Sequence, residues 1–250
     1  MKIDFSQKVI AVTGGASGIG EAIVRKLTEC GGAVAIADRD ETRGTRIAQE
    51  LLSATFVQTD VSEEDSVAHF FDRVQAEYGR LDGLVNAAAW LHAGMYRPFL
   101  EQPLEEWNQS QQINFQGVVL TSRRALPLLE ASRGSIVNIS SVGAARVFSN
   151  GAGYCSSKAA VEHFTRCLAF EFASRGVRIN ALAPGYIDTP GVRFATSDQP
   201  VLNQVIQQKI PMGRLGQPVE MAHATLFLLS PLASYVTGAT LLADGGWALT

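Results

Sequence analysis

A tyrosine and a lysine four residues apart, Tyr154 and Lys158, are the pair in this 250-residue chain best suited to move a proton. Apolar residues recur at helical spacing from Ala160 to Phe172, so both side chains should lie on one face of a helix. A free tyrosine must lose about 3 pKa units, roughly 4 kcal/mol, to be half ionised near neutral pH. An ammonium about 5 Å away, at an effective dielectric constant of about 20, supplies roughly 3 kcal/mol of this. We therefore expect Lys158 to lower the pKa of Tyr154, although this spacing alone is common on amphipathic helices.

A glycine-rich segment near the start of the chain has the pattern of a phosphate-binding loop. An apolar run and a helical stretch flank the pattern Thr13-Gly14-x-x-x-Gly18-x-Gly20. Glycines let the backbone turn sharply and approach a pyrophosphate closely, and the helix offers N–H groups and the positive end of its dipole to the anion. Because a second apolar run follows the helix, the pattern predicts a dinucleotide site.

The end of the second apolar run indicates which dinucleotide is bound. Asp38 lies about 20 residues beyond the glycines, where a carboxylate accepts hydrogen bonds from both hydroxyls of an adenosine ribose. It would also repel a 2′-phosphate. Arg39 argues the other way because it can pair with that phosphate, but Ala16 and Ser17 provide no second basic residue, and we predict NAD in preference to NADP. Asp60 is expected either to contact the adenine edge or to cap the next helix.

Seven short apolar runs without polar alternation predict strands that are covered on both faces. They alternate with helical stretches, which implies right-handed crossovers and a doubly wound, seven-stranded parallel sheet, a Rossmann-like α/β fold with helices on both faces. Ligands of such sheets bind beyond the carboxyl ends of the strands, where glycines or polar residues follow the first six runs. The predicted strands are Val9–Thr13, Ala33–Ala37, Ala54–Gln58, Leu81–Asn86, Ser135–Ile139, Val177–Leu182 and Ala239–Leu242.

Helix ends and loop lengths complete the predicted architecture. A capping box, Ser62-Glu63-Glu64-Asp65, should begin one helix, and Gly79 should end it. The chain shows no linker or internal repeat, so residues 1–250 should form one domain. The segment of about 183–217 is rich in Pro, Gly and Gln and is too long for an ordinary connection, which predicts a substrate-binding loop without regular structure.

Composition and charge exclude several functional classes. The chain is 46% hydrophobic and 18% charged, with a net charge of −3 and scattered basic residues, so we predict no nucleic-acid partner. No apolar run approaches the ~18–20 residues of a membrane span. Three distant cysteines fit neither a disulfide framework nor a zinc site, and the four histidines lack the His-Glu-x-x-His spacing of a metal site. These features predict a cytoplasmic protein that binds a small molecule and no metal or membrane.

Together the motifs resemble those of the short-chain dehydrogenase/reductase family, in its single-domain branch. The resemblance is carried by the glycine pattern, Asn114, Ser141, Tyr154-x-x-x-Lys158 and Pro184-Gly185-x-x-x-Thr189, and it runs from about Lys8 to Gly246. It implies an oxidoreductase that transfers a hydride between NAD and a secondary alcohol or ketone. The positive charge of an oxidised nicotinamide would complete the lowering of the tyrosine pKa.

The resemblance implies a role for each catalytic residue. Tyr154 is the general acid/base, and Lys158 binds the nicotinamide ribose and lowers the pKa of the tyrosine. Ser141 holds the substrate oxygen, with Ser140 as the alternative, and Asn114 belongs to a water-mediated proton relay to the lysine. The residues expected to bind the cofactor are Gly14, Ser17, Gly18, Ile19, Gly20, Asp38, Arg39, Asp60, Val61, Asn86, Tyr154, Lys158, Pro184, Gly185, Ile187 and Thr189.

Several residues are expected to contact the substrate, but they leave its class open. Arginines in this region suit a carboxylate or phosphate, although solvated surface arginines are commoner, and the sequence does not choose among carbocyclic, hydroxy-acid, polyol and aryl alcohols. Trp247 is expected in the core or an interface, with the pocket of a neighbouring subunit as the alternative. The residues expected to contact the substrate are Ser141, His92, Arg146, Phe148, Tyr186 and Phe194.

The chain departs from the family pattern after the fourth predicted strand. It has Asn86-Ala87-Ala88-Ala89 where the family usually has Asn-Asn-Ala-Gly. The missing amide and the added methyl group are expected to change local geometry and cofactor affinity and to leave the chemistry intact.

Assembly and two rival functions are also predicted from the resemblance. Helical stretches around 103–130 and 153–174 carry more apolar residues than one core-facing stripe needs, and in the family these helices form the interface of a dimer within a homotetramer. The rival functions are an NADPH-dependent 3-oxoacyl-thioester reductase, which shares the framework, and a non-catalytic NAD-binding protein.

Overall fold

A single sheet organises the protein, whose computed structural model describes residues 3–91, 96–195, 203 and 206–250. Its strands are β1 (Val9–Thr13), β2 (Ala33–Asp38), β3 (Ala54–Gln58), β4 (Gly83–Asn86), β5 (Ser135–Ile139), β6 (Arg178–Pro184) and β7 (Thr240–Ala243). All pairings between them are parallel, in the order β3-β2-β1-β4-β5-β6-β7. The predicted fold class is confirmed, although β4 begins two residues later and β6 ends two residues later than predicted.

Helices cover both faces of the sheet. They are α1 (Gly18–Glu29), α2 (Glu41–Glu50), α3 (Glu64–Tyr78), α4 (Leu104–Gln111), α5 (Gly117–Ser132), α6 (Ala152–Phe172), α7 (Pro190–Ala195) and α8 (Pro218–Leu229). A π-helical turn, Gln112–Gln116, joins α4 to α5. Among these described helices, none combines the length and the apolar character that crossing a membrane requires.

The segment 183–217 contains regular structure, which corrects the prediction of an irregular loop. β6 extends to Pro184, α7 occupies Pro190–Ala195, and residues 206–209 are also helical. Pro190 is the first residue of α7, a position where proline is favoured because its missing N–H would have no partner in the helix and its fixed φ suits the helix.

The core has two halves because successive residues of a strand point to opposite faces of the sheet. On one face Ile10 and Val12 of β1 pack with buried residues of α1 and α8. On the other face Val9 and Ala11 pack with residues of α3, α5 and α6. Both faces are therefore apolar, which explains the unbroken apolar runs in the sequence.

The start of α3 differs from the predicted capping box. Its N-cap is Glu63, and no side chain forms a cap hydrogen bond there. The Ser62 hydroxyl instead donates to Asp60 Oδ1 at 2.6 Å, so the serine stabilises the turn before the helix. At the other end Gly79 terminates α3 in the left-handed conformation, as predicted, with φ of 65°.

A buried amide network ties the centre of the sheet to two helices. Asn86 Nδ2 donates to Asn138 Oδ1 at 2.8 Å, and Asn86 Oδ1 accepts from the Thr121 hydroxyl at 2.7 Å. Asn138 Nδ2 donates to Thr165 Oγ1 at 2.9 Å. Since a buried polar group without a partner costs about 1–3 kcal/mol, this network favours the register that pairs Asn86 with Asn138. Ala87, which replaces the second family asparagine, packs against the apolar core.

Candidate active site

A cleft of about 270 Å³ lies at the carboxyl edge of the sheet, between the loops that follow β1 to β6. Its wall contains every residue predicted for the cofactor site except Asn86. For Asn86 the contact with the cofactor stays a prediction, and both atoms of its side-chain amide are used in the buried network. It therefore holds the strands beneath the cleft and does not line it.

The glycine loop forms one end of the cleft in a backbone shape that side chains would block. Gly14 and Gly18 have φ values of 64° and 55°, in the left-handed region that favours glycine. A Cβ on Gly14 would lie 2.7 Å from the backbone of Ala88, and one on Gly20 would overlap the Gly14 carbonyl oxygen. Because α1 begins at Gly18, its N-terminal N–H groups lie beside the loop, an arrangement that fits a pyrophosphate.

Charged residues lie at the adenosine end predicted for the cleft. Asp38 Oδ2 accepts a hydrogen bond from the Ala16 N–H at 2.9 Å, which fixes the carboxylate beside the glycine loop. Arg39 lies 3.8 Å from Asp60 as an ion pair. Asp60 Oδ1 also accepts from the backbone N–H of Ser62 at 2.9 Å, so Asp60 shapes the turn and is not the cap of α3. Its contact with adenine stays a prediction.

At the opposite end of the cleft, α6 places Tyr154 and Lys158 one turn apart. The Lys158 Nζ lies 5.9 Å from the centre of the Tyr154 ring. Lys158 is only 3% exposed, and among the described residues its hydrogen-bond acceptor is the Ile139 carbonyl oxygen at the end of β5, 2.9 Å away. An ammonium has three N–H groups, so this lysine retains donors for a ligand in the cleft that it lines.

Ser141 connects the backbone after β5 to the phenol. Its hydroxyl oxygen accepts a hydrogen bond from the Gly143 N–H at 3.0 Å. The side chain also hydrogen-bonds to Tyr154, and this bond lowers the pKa of the phenol. Ser140, the alternative considered above, instead donates to Glu162 at 2.9 Å and to the Lys158 carbonyl oxygen at 3.3 Å. Of the two serines, Ser141 is therefore the one whose hydroxyl reaches the tyrosine.

The expected electrostatic effect of Lys158 on Tyr154 needs a correction in the free protein. Burial raises the pKa of Tyr154 to about 12, against the opposing hydrogen bond from Ser141. Burial also lowers the pKa of Lys158 to about 8. Both groups lose solvation when the chain folds, and this loss favours the neutral form of each and opposes the attraction between them.

Asn114 lies beneath the cleft, within the π-helical turn that joins α4 to α5. It is completely buried, and its Oδ1 accepts a hydrogen bond from the Trp90 N–H at 2.7 Å. Its Nδ2 donates to Ser110 and Ser157, each at 3.3 Å. Asn114 thus links the segment after β4 to α4 and α6. The predicted water relay to Lys158 stays a proposal.

A smaller cavity of about 60 Å³, here named the aromatic chamber, adjoins the cleft and shares Ser141 and Tyr154 with it. Phe148 and Tyr186, both predicted to contact the substrate, line this chamber, whereas Arg146 lines neither cavity. His92 and the side chain of Phe194 lie outside the part of the chain that the structure describes. The described lining consists of Leu91, Tyr96, Ser141, Phe148, Tyr154, Gly185, Tyr186, Gly191, Val192 and Trp247.

Two aromatic residues of the chamber were not predicted as site residues. Trp247 is 6% exposed and stacks between Phe148 and Tyr186 of its own chain, which places it in the wall of this subunit's chamber. A signal for it exists, because Trp247 follows the carboxyl end of the seventh strand, at the edge where ligands bind. Tyr96 meets Phe148 edge to face, and we find no sequence pattern that indicates it.

The described residues contain no group of three or more His, Cys, Asp and Glu side chains arranged to hold a metal ion.

Comparisons with known proteins agree with this geometry. Residues 14–248 match a family described as enoyl-(acyl carrier protein) reductase. A cis-4-hydroxycyclohexanecarboxylate dehydrogenase of Sinomonas cyclohexanicum is 41% identical over 97% of each chain. A 2,5-dichloro-2,5-cyclohexadiene-1,4-diol dehydrogenase of Sphingobium indicum is 37% identical over 97% of this chain and 96% of its own. A structure described as the crystal structure of gox2181 superposes with a TM-score of 0.95 at 34% identity, over 100% of this chain and 98% of that one.

The parallel sheet, the glycine loop and the Tyr-Lys pair define an oxidoreductase of the nicotinamide-dependent class. The chain belongs to the short-chain dehydrogenase/reductase family, whose members act on CH–OH groups with a nicotinamide cofactor.

Replacing the buried lysine should change how stability depends on pH. With a folded pKa of about 8 against 10.5 for the free side chain, the folded state loses this proton before the unfolded state does, so stability should rise between these pH values. At pH 7 the charge penalty is roughly 3 kcal/mol, and Lys158→Met should remove it. The advantage of the variant in urea unfolding should therefore shrink from pH 7 to pH 10. The exposed Lys209→Met serves as control, and an advantage that stays constant over this range would contradict the burial of a charged amine.

Proposed function

We infer that the protein is an NAD-dependent oxidoreductase that interconverts a secondary alcohol and its ketone. The observation that carries this inference is the position of the Tyr154 phenol, which lines both the cleft and the aromatic chamber. A substrate oxygen at this junction can meet the phenol and the Ser141 hydroxyl together. The relatives support the reaction class, since both are named as dehydrogenases of alcohols on six-membered rings.

The cleft fits a nicotinamide dinucleotide along its whole length. The glycine loop offers backbone N–H groups for the pyrophosphate, Asp38 suits the adenosine ribose, and Lys158 retains donors for the second ribose. Thr189 and Ile187 line the cleft near Gly18, whose absent Cβ would lie 3.4 Å from the Thr189 methyl group. When bound, the nicotinamide would accept or supply the hydride at the carbinol carbon.

The remaining steps belong to the side chains of this protein. The Ser141 oxygen accepts from the Gly143 N–H, and its single proton, which serves Tyr154 in the free protein, would turn to the substrate oxygen when a substrate binds. In alcohol oxidation Tyr154 takes the hydroxyl proton, and in ketone reduction it returns one to the oxygen. The high pKa of Tyr154 in the free protein suits the donor role, whereas the acceptor role needs positive charge nearby or alkaline pH. Lys158 supplies such a charge while it remains protonated.

The preference for NAD is proposed from the charges at the adenosine end. A 2′-phosphate would approach the Asp38 carboxylate, which the Ala16 N–H holds beside the glycine loop. Arg39, the group that would favour the phosphate, forms an ion pair with Asp60. The carboxylate should therefore decide the preference by repulsion.

A thioester reductase remains the second candidate because the matched family is described as an enoyl-(acyl carrier protein) reductase, whose substrates are also acyl thioesters. The small aromatic chamber argues against it, because that reaction needs room for a long acyl carrier. Asp38 also argues against it, because the rival enzyme uses NADPH.

The homotetramer and the cytoplasmic location remain predictions. Phe170 on α6 and Leu104 on α4 are 91% and 76% exposed, which supports an interface on these helices.

Removing the phenolic hydroxyl of Tyr154 should stop the reaction while the cofactor still binds in the cleft. In Tyr154→Phe we expect kcat for alcohol oxidation to fall by about 10²–10⁴-fold, since the general acid/base is lost. The assay follows NAD⁺ reduction with secondary alcohols at mildly alkaline pH, and NADH fluorescence checks that the cofactor still binds. The matched control is Tyr235→Phe, whose side chain is fully exposed. A Tyr154→Phe variant that turns over as fast as the parent would contradict the proposed mechanism.

The charge of Asp38 should set the cofactor preference. We expect the parent to bind NADH at least about tenfold more tightly than NADPH, a difference of roughly 1.4 kcal/mol. Asp38→Asn keeps the shape of the side chain and an acceptor for the Ala16 N–H but removes the charge. The ratio of the NADPH to the NADH dissociation constant should therefore fall towards one. Fluorescence titration measures the dissociation constants of NADH and NADPH for the parent and for the variant. Asp40→Asn, at a neighbouring position, serves as the control. Tighter binding of NADPH by the parent would overturn the proposal and favour the thioester reductase.

A further inference from the structure

We propose that the aromatic chamber selects neutral alcohols whose carbinol carbon belongs to a six-membered ring, and that it disfavours hydroxy acids. This inference rests on the proposed function and names the substrate class of that same site. It is drawn from the walls of the chamber, from their charge and from their size.

The walls present apolar surface in an arrangement that is fixed by a stack of aromatic rings. Trp247 lies parallel to Phe148 and to Tyr186, with ring centres 5.2 Å and 4.9 Å apart. Phe148 also lies nearly parallel to Tyr154, with an interplanar angle of 15°. Because these stacked rings cover one another's faces, they offer the chamber rigid apolar edges, which exclude water from the C–H groups of a bound ring. An open chain would have to lose more rotational freedom to cover the same surface.

The turn that carries Trp247 is held by its own hydrogen bonds. Both oxygens of Asp244 accept from backbone N–H groups, Oδ1 from Gly246 at 2.9 Å and Oδ2 from Ala248 at 2.7 Å. The indole is therefore positioned before any substrate arrives, and the chamber has a preformed shape.

The described wall of the chamber carries no charged side chain. Arg193, which neighbours Val192 of the wall, is held by Asp188 through two bonds of 2.6 and 2.9 Å on the protein surface. Arg146 lies outside the lining. A carboxylate in the chamber would thus lose hydration without gaining an ion pair from the described lining, which is unfavourable.

The polar groups of the wall are hydroxyls, which suit neutral substrates. Ser141 and Tyr154 hold the reacting oxygen, and Tyr96 and Tyr186 provide two further phenols. Burial raises the pKa of both these phenols, so they remain neutral donors over the physiological range. They can bind another hydroxyl on the ring, as in a cyclic diol, but they cannot neutralise an anion.

The volume of the chamber matches a single ring. A cavity needs about 10–15 Å³ to hold one water by this measure, so the 60 Å³ of the chamber admits about four to six waters. This is the bulk of a six-membered ring with few substituents.

The test compares kcat/KM for NAD⁺ reduction with matched alcohols. The amide cis-4-hydroxycyclohexanecarboxamide and the acid cis-4-hydroxycyclohexanecarboxylate differ in charge and little in shape, and cyclohexanol and 2-hexanol differ in ring closure. We expect the amide to exceed the acid, and cyclohexanol to exceed 2-hexanol, each by at least about tenfold. A parent enzyme that oxidises the acid as well as the amide, or 2-hexanol as well as cyclohexanol, would overturn the inference.

Two variants test the residues themselves. Trp247→Leu should reduce the preference for cyclohexanol over 2-hexanol to less than about threefold while NADH binding persists, and the exposed Tyr235→Leu should keep the parent's preference. Val192→Arg adds a cation to the wall and should raise the activity with the acid relative to the amide by about tenfold. Unchanged ratios in both chamber variants would contradict the assignment.

Failure of the proposed function gives a different result. If no alcohol is oxidised with either cofactor, but cyclohexanone quenches the tryptophan fluorescence of the parent and not that of Trp247→Leu, the chamber binds neutral rings and the proposed reaction is wrong. If cyclohexanone fails to change the fluorescence and the carboxylate does so, the inference about substrate class falls.

Discussion

The site depends on an amine that the fold takes out of water. Lys158 Nζ is anchored to the end of β5 by the Ile139 carbonyl oxygen, and α6 is fixed to the same strand by the bonds from Asn138 to Thr165 and from Ser140 to the Lys158 carbonyl. Burial lowers the pKa of the amine and raises that of the neighbouring phenol. Burying this charge lowers the stability of the fold, but it also holds a proton donor and a cation in fixed positions. Such a loss of stability in favour of function is common at active sites.

The two ends of the site differ in electrostatic character. Charged groups, Asp38, Arg39 and Asp60, line the end of the cleft beside the glycine loop, whereas the described wall of the aromatic chamber is neutral. Tyr154 lies at the junction. A charged dinucleotide and a neutral ring would therefore be recognised by different physical means, and the reacting atoms would meet where the two environments join.

Sequence patterns predicted the parts of the molecule that are locally encoded. The parallel sheet follows from the apolar runs, and the Tyr154–Lys158 pair follows from helical spacing, because both depend on neighbours along the chain. The buried network of Asn86 could not be predicted in this way, because its partners, Asn138 and Thr121, come from another strand and a helix. The stack around Trp247 joins residues 148, 186 and 247, which are far apart in the sequence. No periodic pattern in the sequence predicts a contact between such distant residues. The effect of burial on the pKa of Tyr154 could not be predicted from the sequence either, since the loss of solvation depends on packing that only the folded chain shows.

The most direct measurement is a titration of the Tyr154 phenol by NMR, with ¹³C-labelled tyrosine and the Tyr154→Phe variant to assign the resonance. In the free protein we expect the phenol to remain protonated beyond pH 10, because burial raises its pKa to about 12. With saturating NAD⁺ we expect ionisation at a distinctly lower pH, since a second positive charge then lies beside the ring. A phenol that ionises at or below pH 10 in the free protein, and does so unchanged with NAD⁺, would contradict the proposed coupling of burial, lysine and cofactor.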